Sequence, residues 1–171
     1  PDGNSIVFAM ADKEANLDLF ILELTSGDIL RVTDDPAADY DPVWHPDGDF
    51  VSYTSHSGST PNIHTVNIAT GESKQVSDVG DAVWAAQWSP DDSNIMANTL
   101  PDVDTVRIVS LDPHRDITTQ ALAIREHYTD WRSAGPDILL TGVDPKKEVN
   151  ILKSYDYTPT IGIKHFFTLV L

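Results

Sequence analysis

A tandem repeat of about 44 residues constrains this chain more than any other feature of its sequence. The segment PDGNSIVFAM at 1–10 returns as PDGDFVSYTS at 46–55 and as PDDSNIMANT at 90–99. A second landmark keeps the same step, because Trp44, Trp88 and Trp131 are spaced by 44 and 43 residues. Two independent landmarks with one period indicate a repeat architecture, in which each unit buries its apolar faces against its neighbours.

Each period contains the signals of short β-strands and turns. The segments SIVFAM, LDLFILEL and DILRVT are rich in β-branched and aromatic residues, and turn formers such as TSGD at 25–28 separate them. The Pro-Asp-Gly segment predicts a hairpin, since Pro presets φ, Asp bonds to the following backbone and Gly accepts positive φ. We therefore predict an all-β fold, a β-propeller whose four-stranded antiparallel blades run from strand a, which carries the Trp, to strand d.

The repeat divides residues 1–153 into about four blades. Strands b to d of one blade occupy 1–33, nearly whole blades occupy 39–77 and 82–121, and a degraded blade occupies 126–153. The segment TIGIKHFFTLVL at 160–171 alternates between apolar and polar side chains, so 154–171 is predicted to be a divergent strand or the start of a downstream domain. Propellers close with four blades at the least and more often with six to eight. Because the first blade also lacks strand a and the last lacks a convincing strand d, we expect an incomplete ring and a fragment of a longer protein.

The acidic composition excludes some classes of partner. Asp and Glu number 27 against 11 Lys and Arg, and the formal net charge of −16 repels phosphate groups and anionic lipids. We therefore expect no nucleic-acid partner. No apolar run approaches the roughly 20 residues of a membrane-spanning helix, so no transmembrane helix is predicted.

Three segments carry a resemblance to a known family. DPVWHPDGDFVSYTS, AAQWSPDDSNIMANT and the preceding VTDDPAADYDP resemble the TolB-type propeller repeat, whose pattern runs Leu-Thr, a polar loop, Pro-x-Trp-Ser-Pro-Asp-Gly and an apolar strand. The match is good over about residues 1–112 and weak over 126–153. His45 replaces the Ser of the pattern, and we predict a surface turn residue without a partner there. The resemblance implies a propeller of six or more blades, usually exported in bacteria, and hence a periplasmic or otherwise extracytoplasmic location.

The resemblance is compatible with three functions. The first is a non-enzymatic module that mediates protein or peptide interaction. The second is an amino-terminal propeller that gates substrate for a prolyl oligopeptidase-like serine peptidase, and the third is a carbohydrate-active propeller with a metal held by histidines of several blades. The chain has no Gly-x-Ser-x-Gly, no cysteine and no locally paired histidines, and the acidic loop at 33–41 lacks the calcium-loop spacing. We therefore predict no catalytic, cofactor-binding or metal-binding residue in this chain.

One positional pattern predicts a binding surface. In an up-and-down meander the b–c loops and the d–a loops share one face, and three aromatic residues align there at the repeat step, just before strand a. An aromatic group inside an acidic rim suits a basic or amphipathic peptide, because the rings supply contact area and the acids steer the encounter. Packing of the rings under their own loops explains the pattern equally well. The aromatic residues are Tyr40, Trp84 and His127, and the rim includes Asp34, Asp35, Asp39 and Asp81.

Truncation of a repeat tryptophan tests the assignment of these rings to blade packing. We expect Trp88→Ala to lower the free energy of unfolding by roughly 3 kcal/mol or more, because a large buried ring leaves a cavity. Thermal unfolding followed by circular dichroism measures the change. An unaltered melting temperature would contradict the assignment.

Overall fold

The computed structural model describes residues 1–77 and, beyond them, strands at 82–88, 94–100, 105–110, 116–120, 125–131, 137–144, 149–158 and 162–170. Of the side chains after residue 77 it describes Ala82, Gln87, Trp88, Ile95 and Ala97. The chain divides into two compact units, Pro1–Ala86 and Gln87–Leu171. Among the described residues every regular element is a strand. That part of the chain therefore contains no helix of the length and apolar character needed to cross a membrane.

The first unit begins with a three-stranded antiparallel sheet in the order β1-β2-β3. The strands are β1 (Ser5–Ala11), β2 (Leu17–Glu23) and β3 (Ile29–Arg31). Val7 lies opposite Ile21 and Phe8 opposite Phe20, so alternate side chains of the two strands share a face. These are the predicted strands b, c and d.

The second sheet of this unit has four antiparallel strands in chain order. They are β4 (Asp39–Trp44), β5 (Phe50–Ser55), β6 (Asn62–Asn67) and β7 (Ser73–Gln75). The register between β4 and β5 shifts between Tyr40 and Val43, and Asp41 adopts a positive φ of 51° at this irregularity. Aspartate tolerates this left-handed conformation better than most residues do.

Two further four-stranded antiparallel sheets follow, and the boundary between the units falls within β8. The third comprises β8 (Ala82–Trp88), β9 (Asn94–Leu100), β10 (Thr105–Ser110) and β11 (Asp116–Gln120). The fourth comprises β12 (Arg125–Trp131), β13 (Asp137–Asp144), β14 (Val149–Thr158) and β15 (Gly162–Val170). The predicted domain boundary at residue 153 lies inside β14, and β15 pairs with β14 along most of its length.

The core of the first unit lies between its two sheets. Leu19 of the first sheet is fully buried against Val51, Tyr53 and Val66 of the second. The period-two alternation explains this arrangement, because Leu19 lies on the same face of its sheet as Val7 and Ala9, which pack against the same cluster. Trp44, the first repeat tryptophan, also packs there.

The Pro-Asp-Gly segment forms the predicted tight turn between β4 and β5. The backbone N–H of His45 donates to the carbonyl oxygen of Phe50 at 2.8 Å, and that of Gly48 donates to the carbonyl oxygen of His45 at 2.9 Å. Gly48 has a φ of 84°, which a residue with a Cβ rarely adopts. The hairpin prediction is therefore confirmed, and the glycine is required by the backbone conformation.

The prediction that His45 is a surface residue without a partner is wrong. The residue is 8% exposed, and its ring packs edge-on against Phe50 with 6.2 Å between ring centroids. Its Nδ1 lies 2.6 Å from Oδ1 of Asp47. The tight turn brings the residues on either side of Pro46 together, so the imidazole is enclosed by the hairpin that it precedes.

The inter-sheet core can be tested with a matched pair of leucines. We expect Leu19→Ala to lower the free energy of unfolding by about 2–5 kcal/mol, because the side chain is fully buried and its removal leaves a cavity. Leu24→Ala is the control, since Leu24 is 50% exposed and should cost about 0.5 kcal/mol or less. Urea unfolding of both variants measures the difference, and equal losses would place the core elsewhere.

Candidate functional site

Three loops meet at one end of the two sheets of the first unit. They join β1 to β2, β3 to β4 and β5 to β6, as expected for b–c and d–a loops of a meander. The Nδ2 of Asn16 donates to the carbonyl oxygen of Asp35 at 2.8 Å, and the backbone N–H of His56 donates to the carbonyl oxygen of Ala38 at 3.0 Å. These hydrogen bonds tie the three loops into one surface, which we call the loop end.

One arginine holds three of the acidic residues at the loop end. Nη2 of Arg31 lies 2.6 Å from Oδ2 of Asp18, 2.9 Å from Oδ1 of Asp34 and 4.0 Å from Oδ2 of Asp12. Its Nε donates to the carbonyl oxygen of Thr33 at 3.0 Å. The hydrogen bond to Asp18, with the neighbouring negative charges, raises the pKa of Arg31. We call Arg31 with Asp12, Asp18 and Asp34 the arginine cluster.

Asp39 is a buried acid at the start of β4. Its exposed fraction is zero, and within the described part of the chain neither carboxylate oxygen accepts a hydrogen bond of good geometry. Burial raises its pKa to about 6, and the charges of Asp35 and Asp18 act in the same direction. The nearby hydroxyl groups of Ser55 and Thr33 partly offset that rise in pKa. Asp39 is therefore a carboxyl group whose charge changes in mildly acidic solution.

Tyr40 pairs with a histidine on the opposite side of the β4–β5 hairpin. Its Oη lies 2.9 Å from Nε2 of His56, and the two rings are tilted with 5.6 Å between centroids. Tyr40 is half-buried, and this desolvation raises the pKa of its hydroxyl. The hydrogen bond fixes the relative orientation of these two tilted rings at the loop end.

A second tyrosine–histidine pair lies deeper in the same sheet. The rings of Tyr53 and His64 are 5.6 Å apart, and Oη of Tyr53 lies 2.5 Å from Oγ of Ser73. Burial raises the pKa of Tyr53 to about 12 and lowers the pKa of His64. Nε2 of His64 is 3.3 Å from Oγ of Ser57. Since Tyr53 is fully buried, this pair supports the core and the β5–β6 loop.

The predicted site residues are brought together in part. Tyr40, Asp34, Asp35 and Asp39 all lie at the loop end, although Asp39 is buried beneath the surface. Trp84 lies on β8 and His127 on β12, but their side chains are outside the described residues, as is the whole of Asp81. The role of these residues in binding stays a prediction.

Sequence reasoning missed Arg31, Asp18 and His56. A comparison of residues one repeat step apart would have shown the first two, because the next blade has the neutral Gln75 and Asn62 in their places. His56 gave no such signal, since only the paired strands bring it to Tyr40.

Each of the first two sheets has the same set of side-chain hydrogen bonds to the backbone at this end, which we call the frame. The hydroxyl of Thr33 accepts the backbone N–H of Leu19 at 3.0 Å, and one repeat later that of Ser77 accepts the N–H of Ile63 at 2.8 Å. The frame includes a second bond in each sheet. Nε2 of Gln75 donates to the carbonyl oxygen of Ser77 at 2.6 Å, and Nε of Arg31 donates to the carbonyl oxygen of Thr33 at 3.0 Å. In these two sheets the hydroxyl groups of Thr33 and Ser77 thus fasten the segment after the last strand to the strand before it, and Arg31 and Gln75 brace that segment.

No group of three or more His, Cys, Asp or Glu residues among the described residues is arranged to hold a metal ion. The guanidinium of Arg31 occupies the space between the acids that come closest to such an arrangement. The loop end thus combines exposed carboxylates with the Tyr40–His56 ring pair.

The four antiparallel sheets, the 44-residue repeat and the shared frame define the class of the protein as a β-propeller. The family described as the TolB beta propeller domain matches residues 1–137, and the chain belongs to that family. The fold and family predicted from the sequence are confirmed.

Relatives and solved structures agree with this assignment. The chain is 28% identical to the Protein TolB homolog of Chlorobaculum tepidum over 98 residues, and this aligned region covers 57% of this chain and 22% of the relative. It is 34% identical over 67 residues to the Tol-Pal system protein TolB of Francisella tularensis, which covers 39% of this chain and 15% of the relative. The chain thus matches about a fifth of the length of these relatives or less.

Two kinds of solved propeller resemble the fold. The putative TolB of Agrobacterium tumefaciens superposes with a TM-score of 0.75 and 16% identity, over 99% of this chain and 63% of that one. An acylaminoacyl peptidase of Pyrococcus horikoshii superposes with a TM-score of 0.66 and 13% identity, over 100% of this chain and 32% of that one. At these identities the similarity shows the fold alone.

The buried carboxyl of Asp39 predicts a pH dependence of stability. Its folded-state pKa of about 6 lies above the ordinary 3.8, so the folded protein binds the proton more tightly. The stabilisation by this group is therefore complete below about pH 4 and is lost as the pH rises through 6. Asp39→Asn should raise the stability at pH 7 by about 1–2 kcal/mol, after allowance for solvent screening, and by much less at pH 4.

Urea unfolding at pH 4, 5, 6 and 7 measures this effect. Asp28→Asn is the control, because it removes the same charge from the exposed turn at the opposite end of the first sheet. A gain in stability for Asp39→Asn that is the same at every pH would contradict the burial of an ionisable carboxyl group.

Proposed function

We propose that this chain is a TolB-like propeller module that binds a protein or peptide partner through its loop end, in an exported bacterial protein. The observation that carries the proposal is the combination of the Tyr40–His56 ring pair with exposed acids on one surface, held by hydrogen bonds between three loops. The extracytoplasmic location is supported by the resemblance to relatives named as Tol-Pal system proteins.

The physical chemistry of the loop end favours a basic or amphipathic partner. Rigid aromatic rings supply contact area at a small cost in side-chain entropy, and they are common at the energetic centres of interfaces. Asp34 and Asp35 are exposed beside them, and the net charge of −16 attracts cations over a longer range. The acids therefore accelerate the encounter, and the rings hold the partner.

A second candidate function rests on the similarity to peptidase propellers. The acylaminoacyl peptidase and an oligopeptidase B of Leishmania major share the fold, the latter with a TM-score of 0.62 over 96% of this chain and 26% of that one. In this alternative the module gates substrate for a serine peptidase domain elsewhere in a longer chain. A Gly-x-Ser-x-Gly motif downstream in the same reading frame would favour it.

Selection of peptides from a random phage-displayed library on the purified chain tests the interaction proposal. We expect selected peptides to bind Tyr40→Ala at least 10-fold more weakly than the parent chain, because the ring pair is lost. Trp84→Ala should weaken binding if its ring joins the same surface. Fluorescence anisotropy of the labelled peptides gives the dissociation constants.

Two controls separate binding from folding. Tyr40→Phe keeps the ring and removes the hydrogen bond to His56, so it should retain most of the affinity, while Asp28→Asn should retain all of it. Circular dichroism verifies that each variant is folded. Unchanged affinity in folded Tyr40→Ala and Trp84→Ala would overturn the proposal.

A further inference from the structure

The frame is present in both of the first two sheets, but its side chains are charged only in the first. Arg31 and Asp18 of the first blade correspond to Gln75 and Asn62 of the second, one repeat step later. Gln75 makes the same hydrogen bond to a backbone carbonyl as Arg31 does. The frame itself therefore needs an amide or guanidinium N–H, and it does not need an ion pair.

The ion pair between Arg31 and Asp18 leaves one oxygen of the buried carboxylate without a hydrogen bond from the described residues. Asp18 has no exposed surface and uses Oδ2 for Arg31, while its Oδ1 has no hydrogen-bond partner within the described residues. Asp39, equally buried, has no well-formed hydrogen bond to either oxygen. Burying a carboxylate without such partners is costly, and of these two buried acids only Asp18 is paired with a guanidinium. The loop end thus holds more buried negative charge than its own cation neutralises.

We propose that the arginine cluster is a receptor for a cationic side chain of the peptide partner, in which Arg31 occupies the place of the incoming guanidinium or ammonium group. Asp18 binds the incoming cation, and the buried carboxylate of Asp39 adds to the negative electrostatic potential at that position. This inference rests on the proposed function, because it specifies the chemistry of the partner at the same loop end.

The geometry provides a route for this exchange. Arg31 is 37% exposed and extends from solvent to the buried Asp18, so its side chain occupies a path from the surface to that carboxylate. Asp34, which is 79% exposed, lies 2.9 Å from the same nitrogen. Arg31 can therefore move outward, keep its contact with Asp34 and leave Oδ2 of Asp18 to a second cation. Arginine suits this position because its planar guanidinium makes directional bonds to carboxylates.

The test uses a matched pair of small probes with the full 171-residue chain. N-acetyl-arginine amide carries the guanidinium, and N-acetyl-citrulline amide is its neutral isostere. Titration followed by backbone ¹⁵N–¹H spectra at low salt gives the dissociation constants. We expect the arginine probe to shift the resonances of residues 18, 31 and 33, and the citrulline probe to leave them unchanged.

Three variants separate a gain of affinity, a loss of affinity and the effect of charge alone. Arg31→Gln reproduces the residue of the next blade and removes the resident cation, so the arginine probe should bind about 10-fold more tightly. Adding Asp18→Asn, again the residue of the next blade, should weaken the binding by at least 10-fold. Adding Asp28→Asn to Arg31→Gln instead changes the charge equally and should have little effect.

A purely structural ion pair gives the opposite results. Equal shifts with both probes, no gain in affinity for Arg31→Gln, or no loss on adding Asp18→Asn would each overturn the proposal. The Nε–H resonance of Arg31 in the unsubstituted chain provides a readout that needs no variant. It should move with the arginine probe and not with citrulline, and a stationary resonance at saturation would also overturn the proposal.

The outcome is separable from that of the proposed function. If library peptides bind through Tyr40 but are not basic and are insensitive to Asp18→Asn, the cation receptor is wrong and the interaction surface stands. If the arginine probe binds at Asp18 while no peptide depends on the loop end, the receptor stands and the peptide-binding function is wrong.

Discussion

A sheet of three or four strands with apolar residues on both faces has to be covered on each side, and the rest of this structure depends on that constraint. In the first unit the contact of Leu19 with Val51, Tyr53 and Val66 meets the requirement between neighbouring sheets. The repeat in the sequence follows from it, because every blade must offer its neighbour a similar surface at a similar distance along the chain. Conserving this surface leaves the loops free to differ.

The stacking of the sheets also creates the loop end. Once Leu19 and Val51 fix the two sheets against each other, the loops before β2, before β4 and after β5 are brought to the same edge. Hydroxyl groups of Thr33 and Ser77 then bind backbone N–H groups of the preceding strands and fasten the loops to the sheets. The result is a rigid support for side chains that packing does not require.

One buried charge at this edge, that of Asp39, opposes the stability of the fold. Asp39 has a raised pKa because it is desolvated, and Asp18 and Asp35 add negative charge around it. The neighbouring blade keeps the same backbone frame with the neutral Gln75 and Asn62 in place of Arg31 and Asp18, so the frame does not need the charge of Asp18. Local packing and the frame therefore do not account for the desolvated carboxylate of Asp39 or for the charge of Asp18.

The sequence by itself determined the repeat, the strand order, the Pro-Asp-Gly turn between β4 and β5 and the family, because these depend on local propensity and on a spacing that can be read along the chain. It also singled out Tyr40 and its acidic loop as a predicted binding surface, and that role stays a prediction. Only the tertiary structure decided that His45 is enclosed by its own hairpin, that Asp39 is buried, that His56 pairs with Tyr40 and that Arg31 joins three acids. These features arise where strands and loops distant in sequence come together, and no local pattern encodes the resulting distances or burial.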